Sequence, residues 1–140
     1  MIAVVDSSVA IKWFVREHGH DQALALLDRQ DELFAPDVIV SDVIDGVWAR
    51  IIAGQIGNDQ GSAIVAAVTS GVPTLVSVSD FAEEALQTAM GMDRLAHLAM
   101  YFACVERLEG GFVTADADAA LMAREKLGAE RVTLLSGLSS

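Results

Sequence analysis

IAVVDSSVAIKWF, residues 2–14, changes character at Asp6. Ile2 to Val5 is an apolar, mostly β-branched run, too short for a helix and without the alternation of a half-solvated strand. It therefore predicts a strand covered on both faces, as in a parallel sheet. Ser7 to Val15 then predicts a helix, with Ser7 or Ser8 as its cap. A carboxylate is thus placed at the carboxyl end of a buried strand.

The same punctuation recurs outward from this stretch. HDQALALLDRQ predicts a second helix, and ELFAP a second strand stopped by Pro36, which is well placed to open a longer helix through Ala53. Gly54 and Gly57 close that helix, and NDQGSAIVAAVTSG predicts another, capped by Asn58 or Asp59. TLVSVS predicts a third strand, after which Asp80 caps FAEEALQTAM. DRLAHLAMYFACVERLE is the most apolar helix, stopped by Gly110-Gly111 before the strand FVTA; DADAALMAREKLG and the strand RVTLL follow. Four of the strands are continuous apolar runs, so the expectation is a single α/β domain over residues 1–140, with a central parallel sheet of about five strands flanked by helices.

Bulk composition narrows the function. A chain of 140 residues that is 53% hydrophobic buries one real core. A net charge of −11 repels polyphosphate at long range and excludes a nucleic-acid-coating role, but leaves room for a local, metal-bridged phosphate site. The single cysteine, Cys104, excludes a disulfide framework and a Cys-rich zinc site. No run reaches the roughly 18 apolar residues of a spanning helix. The first dozen residues lack a basic segment and are broken by Asp6 and Lys12, so the expected location is the cytoplasm.

In open α/β sheets ligands bind at the carboxyl ends of strands, where the strand order reverses. Asp6 follows the first strand and Asp116 follows FVTA, so two acids are candidates to converge; either alone reads equally well as a helix cap. PDVIVSDVIDGVWAR supplies a third, Asp42, set among core residues, with Asp45 one turn on. Like charges at that spacing cost helix stability, and a divalent cation would offset the cost; the alternative is that both lie on a solvated stripe. Oxygen ligands without a His or Cys cluster favour Mg²⁺ or Mn²⁺, which suit phosphodiester hydrolysis.

Together VVDSSVAIKWF, APDVIVSDVIDGVWAR and ACVERLEGGFVTAD resemble the PIN domain family, and within it the VapC-type toxins of toxin-antitoxin pairs. The resemblance runs from Ile2 to Leu135. It implies a PIN-like three-layer sandwich, a Mg²⁺- or Mn²⁺-dependent endoribonuclease site of about four acids, frequent homodimers and a cognate antitoxin that blocks the site. Carried over by motif, the site acids fall on Asp6, on Asp42 in place of a glutamate, and on Asp116, with Asp118 close behind. The family's asparagine falls on Asp45.

The remaining family acid falls on Leu98, which cannot ligate a metal. Asp93 is the nearest acid, but five residues of helix turn it about 140° away unless the helix starts late or bends. His97 is adjacent and is a second candidate to replace the acid. Two functions follow: an RNA-cleaving enzyme, or a catalytically degenerate PIN domain that retains only protein or RNA binding. A phosphoacceptor receiver domain also places acids at strand ends, but it requires an acid pair after the first strand and a lysine near the last, and neither is present. Ser7, Lys12, Arg16 and Arg50 are candidate contacts to RNA phosphate or antitoxin acids, with surface pairing as the alternative for the three cations. Trp13, Phe14 and Trp48 are expected in the core or a dimer interface, and Met90, Met92, Met100 and Met122 in the core.

Overall fold

The structure is a computed structural model that describes residues 1–29 and 31–138. Five strands form one parallel sheet: β1 (Ile2–Val5), β2 (Glu32–Pro36), β3 (Thr74–Val76), β4 (Gly111–Thr114) and β5 (Val132–Leu134), in the order β3-β2-β1-β4-β5. The expected α/β architecture holds. Among the described residues seven α-helices flank the sheet: α1 (Ser7–Ala10), α2 (His20–Asp28), α3 (Ile39–Ile52), α4 (Asn58–Ser70), α5 (Ala82–Met90), α6 (Ala99–Leu108) and α7 (Ala117–Leu127).

The strand order carries the functional consequence. From β1 the chain builds outward through β2 and β3, then returns past β1 to lay down β4 and β5 on the other side. The reversal falls between β1 and β4, where Val5 is in register with Val113. Asp6 and Asp116 therefore leave neighbouring strands at the switch point, where a crevice is expected.

Burial explains why the strands read as continuous apolar runs. Val4, Val5, Ala35 and Phe112 are fully buried, because helices cover the sheet and α6 packs across β1, β2 and β4. Tyr101, Phe102, Cys104 and Val105 of α6 are buried with them. No described helix is long and apolar enough to cross a membrane.

Several local expectations are corrected. The first helix is one short α-turn continued by a 3-10 turn at Ile11–Trp13, and its cap is Asp6, whose carboxylate accepts from Val9 N, rather than Ser7 or Ser8. Pro36 ends β2, and α3 opens only at Ile39. Gly57 stands before α4 without a side-chain cap, so neither Asn58 nor Asp59 serves. Asp80 belongs to a 3-10 turn, and Phe81 occupies the position before α5. The apolar helix begins late: Leu95 adopts φ 54°, Ala96–Leu98 is a 3-10 turn, and α6 starts at Ala99. Of the bulky side chains, Trp13 and Met122 are buried, Met90 is 70% exposed and so lies outside the core, and Trp48, at 63% exposed, is outside the core with its interface alternative untouched.

Candidate active site

Asp6, Asp42, Asp45 and Asp116 line one cleft of about 310 Å³ at the carboxyl ends of β1 and β4. Three elements deliver them. Asp6 ends β1 and caps α1, Asp116 follows β4 and caps α7, and Asp42 lies in the first turn of α3. The opposing wall is formed by the start of α6 and the turn before it, with His97, Leu98 and Tyr101.

Asp6 is buried and held on both oxygens. Ser8 Oγ donates to Oδ1 at 2.5 Å, with Val9 N at 3.3 Å, and Thr114 Oγ1 donates to Oδ2 at 2.5 Å. Ser8 Oγ in turn accepts from Ala115 N at 2.9 Å, and Thr114 Oγ1 accepts from Asp116 N at 3.1 Å. Neutral hydroxyls thus join the ends of β1 and β4. Burial nevertheless holds the Asp6 carboxyl above the usual carboxylate range; the hydroxyls of Ser8 and Thr114 oppose that rise, and the nearby Asp116 charge adds to it.

Asp42 is fixed differently. The buried Tyr101 hydroxyl donates to its Oδ2 at 2.6 Å, and His97 Nε2 lies 2.8 Å from the same oxygen. Burial, then the hydrogen bond to Asp42, pushes the Tyr101 hydroxyl far upward, so it stays a donor. Among the described residues no lysine or arginine forms an ion pair with any acid of the cleft.

No three described His, Cys, Asp or Glu side chains are grouped to close around one ion. A hard divalent cation does not require three: Mg²⁺ commonly takes one or two carboxylates and keeps several waters. Asp6 and Asp116, close enough for the Asp116 charge to raise the Asp6 pKa and without a cationic partner among the described residues, are an oxygen donor pair of that chemistry.

The other candidates lie elsewhere. Asp93 opens onto a different depression, beside Glu125 and Lys126, although α6 does start late. Asp118 is exposed and its backbone N caps onto Asp116 Oδ1. Arg16 lines a separate hollow with His18 and Asp21. Lys12 and Arg50 are engaged by Glu17: Arg50 places Nε 2.7 Å from Oε1 and Nη2 2.8 Å from Oε2, and Lys12 Nζ lies 2.8 Å from Oε2. Ser7 does line the cleft.

Sequence reasoning missed Thr114 and Tyr101. Thr114 precedes Asp116 by two residues in VTAD, and Tyr101 stands four after His97, the spacing that puts two side chains on one helical face.

No family model and no curated protein matches the chain. Among solved structures, it is similar to a chain in the crystal structure of VapBC2 from Rickettsia felis bound to a DNA fragment from their promoter. The TM-score is 0.61 at 9% identity, over 96% of this chain and 98% of that one. At that identity the likeness shows the fold, which is PIN-like.

Proposed function

We propose that this protein is a PIN-domain toxin of VapC type, a Mg²⁺- or Mn²⁺-dependent endoribonuclease held inactive by a cognate antitoxin. The observation that carries the reading is the convergence of Asp6, Asp42 and Asp116 from three elements on one cleft with no lysine or arginine partner among the described residues. A bound divalent ion would supply an activated water and positive charge against an RNA phosphodiester. Asp6 and Asp116 are the residues that would hold it. Ser8 and Thr114 orient Asp6 by donating to its two oxygens, which favours the ionised form needed for ligation. Tyr101 orients Asp42 across the cleft, and Asp45 adds charge at the rim.

A second reading, a degenerate PIN domain that only binds, is favoured by one feature: Leu98 lines the cleft and offers no ligand. Mn²⁺ titration and RNA cleavage by wild type, Asp6→Ala and Leu98→Asp separate the two. Cleavage by wild type that vanishes in Asp6→Ala supports the enzyme. An inert wild type that gains metal binding and cleavage through Leu98→Asp supports the degenerate domain.

The exposed side of α3 supports a covering partner. Ile44, Trp48 and Ile52 are 49%, 63% and 68% exposed, an apolar face suited to the antitoxin or a second copy of the chain. Light scattering of the purified chain with and without the antitoxin distinguishes them.

A further inference from the structure

We infer that residues 93–97 form a strap over the cleft, closed in this structure, which gates the cleft by opening locally while the domain stays folded. Its movement requires neither a metal ion nor RNA. The carrying observation is Leu95, whose φ of 54° and ψ of 37° place a bulky residue in the left-handed region, where its side chain crowds the backbone. Such strain persists only where surrounding contacts impose it, and it collects at clamps and switching segments. Leu95 is 42% exposed, so little packing around its own side chain imposes it.

The constraint comes from the two ends and from one tie. Met92 and Leu98 are partly buried and pack against the core, which anchors the strap between α5 and α6. The five residues between them are exposed. Two of these, Leu95 and His97, line the cleft, so the strap supplies part of its wall. His97 carries the strap across to α3, with Nε2 2.8 Å from Asp42 Oδ2. Among the described residues this is the one side-chain hydrogen bond that joins residues 93–97 to another element.

That tie is built to release. Tyr101 donates to the same Asp42 oxygen at 2.6 Å, so the carboxylate keeps a partner when His97 leaves. The His97 side chain is 49% exposed and exchanges its protein partner for water. Leu95 then returns to a right-handed conformation and gives up its strain. An exposed segment with few buried contacts belongs to the part of a fold that opens first. Cys104, fully buried in the middle of α6, belongs to the part that opens last.

The test is amide hydrogen exchange of the full chain, read by NMR as protection factors, together with thiol labelling inside the cleft. Leu98 N donates to Leu95 O at 2.9 Å, so its exchange reports the strap, while the Cys104 amide reports the core. In wild type Leu98 should be protected at least about 100-fold less than Cys104. His97→Ala, and Leu95→Val with its crowded branched side chain, should each lower Leu98 protection relative to Cys104 at least about threefold further. Leu95→Asn, which tolerates the left-handed region, should raise it. Ser7→Cys places a thiol in the cleft, where the native Cys104 thiol is buried and silent. Adding His97→Ala should speed its reaction with an uncharged maleimide at least about fivefold, and His97→Gln, which keeps a donor for Asp42, should restore the slower rate. A thiol introduced on exposed α4 by Ser62→Cys should react equally in all backgrounds. Circular dichroism melting verifies that each variant is folded. Equal protection of Leu98 and Cys104 in wild type, or labelling at Ser7→Cys that His97→Ala leaves unchanged, overturns the strap.

Discussion

Asp6 and Glu17 flank the same short helical segment, and the molecule treats the two acids in opposite ways. Glu17 receives both oxygens' worth of charged partners from Arg50 and Lys12. Arg50's hydrogen bonds, helped by Lys12 and against some desolvation, pull its carboxyl down to about 2. Asp6 is more deeply buried, has only neutral donors, and sits above the usual range. The chain has 9 lysines and arginines; two are committed to Glu17, and none of the described ones pairs with the cleft. A structural acid is neutralised from within, whereas the cleft acids are left with unmatched charge, the state that a cation from solution relieves.

Removing each acid tests that division. If the proposed ion is held by these acids, Asp6→Ala and Asp116→Ala should each lower RNA cleavage by at least about 100-fold, or about 3 kcal/mol in the barrier. Glu17→Ala, assayed where it is folded, should stay within about threefold of wild type, a change too small to signify a lost ligand. Equal losses at both places would erase the contrast.

Stability should respond in the reverse order. Glu17→Ala leaves two partly buried cations without their acidic partner and should cost about 2 kcal/mol in urea denaturation. Below that in size is its acid limb. Because the folded pKa is about 2 against an ordinary glutamate value of 4.5, the contribution is complete above pH 4.5 and is lost as pH falls toward 2. With solvent screening the loss is about 1–2 kcal/mol, and it should be absent from Glu17→Gln.

The fold was largely legible because buried parallel strands declare themselves as unbroken apolar runs. IAVV and ELFAP coincide with β1 and β2, and FVTA and RVTLL overlap β4 and β5. What local pattern could not reveal was how helices begin. DRLAHLAMYF is apolar throughout, so nothing in its periodicity announces that Leu95 takes a left-handed conformation and delays α6 to Ala99. Asp42 and Asp6 were legible as acids among core residues, but their partners were not. Tyr101 lies 59 residues from Asp42 and Thr114 lies 108 from Asp6, contacts made only by tertiary packing. For the same reason the sequence left Lys12 and Arg50 open between phosphate contact and surface pairing: Glu17 meets Arg50 across 33 residues.

The smallest effect gives the sharpest comparison. Asp6→Asn keeps the shape and most hydrogen bonds of the buried carboxylate but removes its charge. Because the folded pKa of Asp6 is raised above 3.8, the folded state binds the proton more tightly than the unfolded chain. Its contribution to stability is therefore complete below pH 3.8 and declines as pH rises through the folded pKa, the mirror image of Glu17. The asparagine has no such titration, so the variant should match wild type near pH 3 and exceed it by about 1 kcal/mol at neutral pH, the gain typical when a functional site is relaxed. Glu17 titrates identically in both proteins and cancels from the difference. Mn²⁺ at saturating concentration should narrow the neutral-pH gap if Asp6 holds the proposed ion, because such an ion would stabilise only the folded wild type. A gap that is independent of pH would mean that Asp6 is no more strained than an ordinary helix cap. A gap that opens with pH but ignores Mn²⁺ would leave the buried charge real and detach it from the metal.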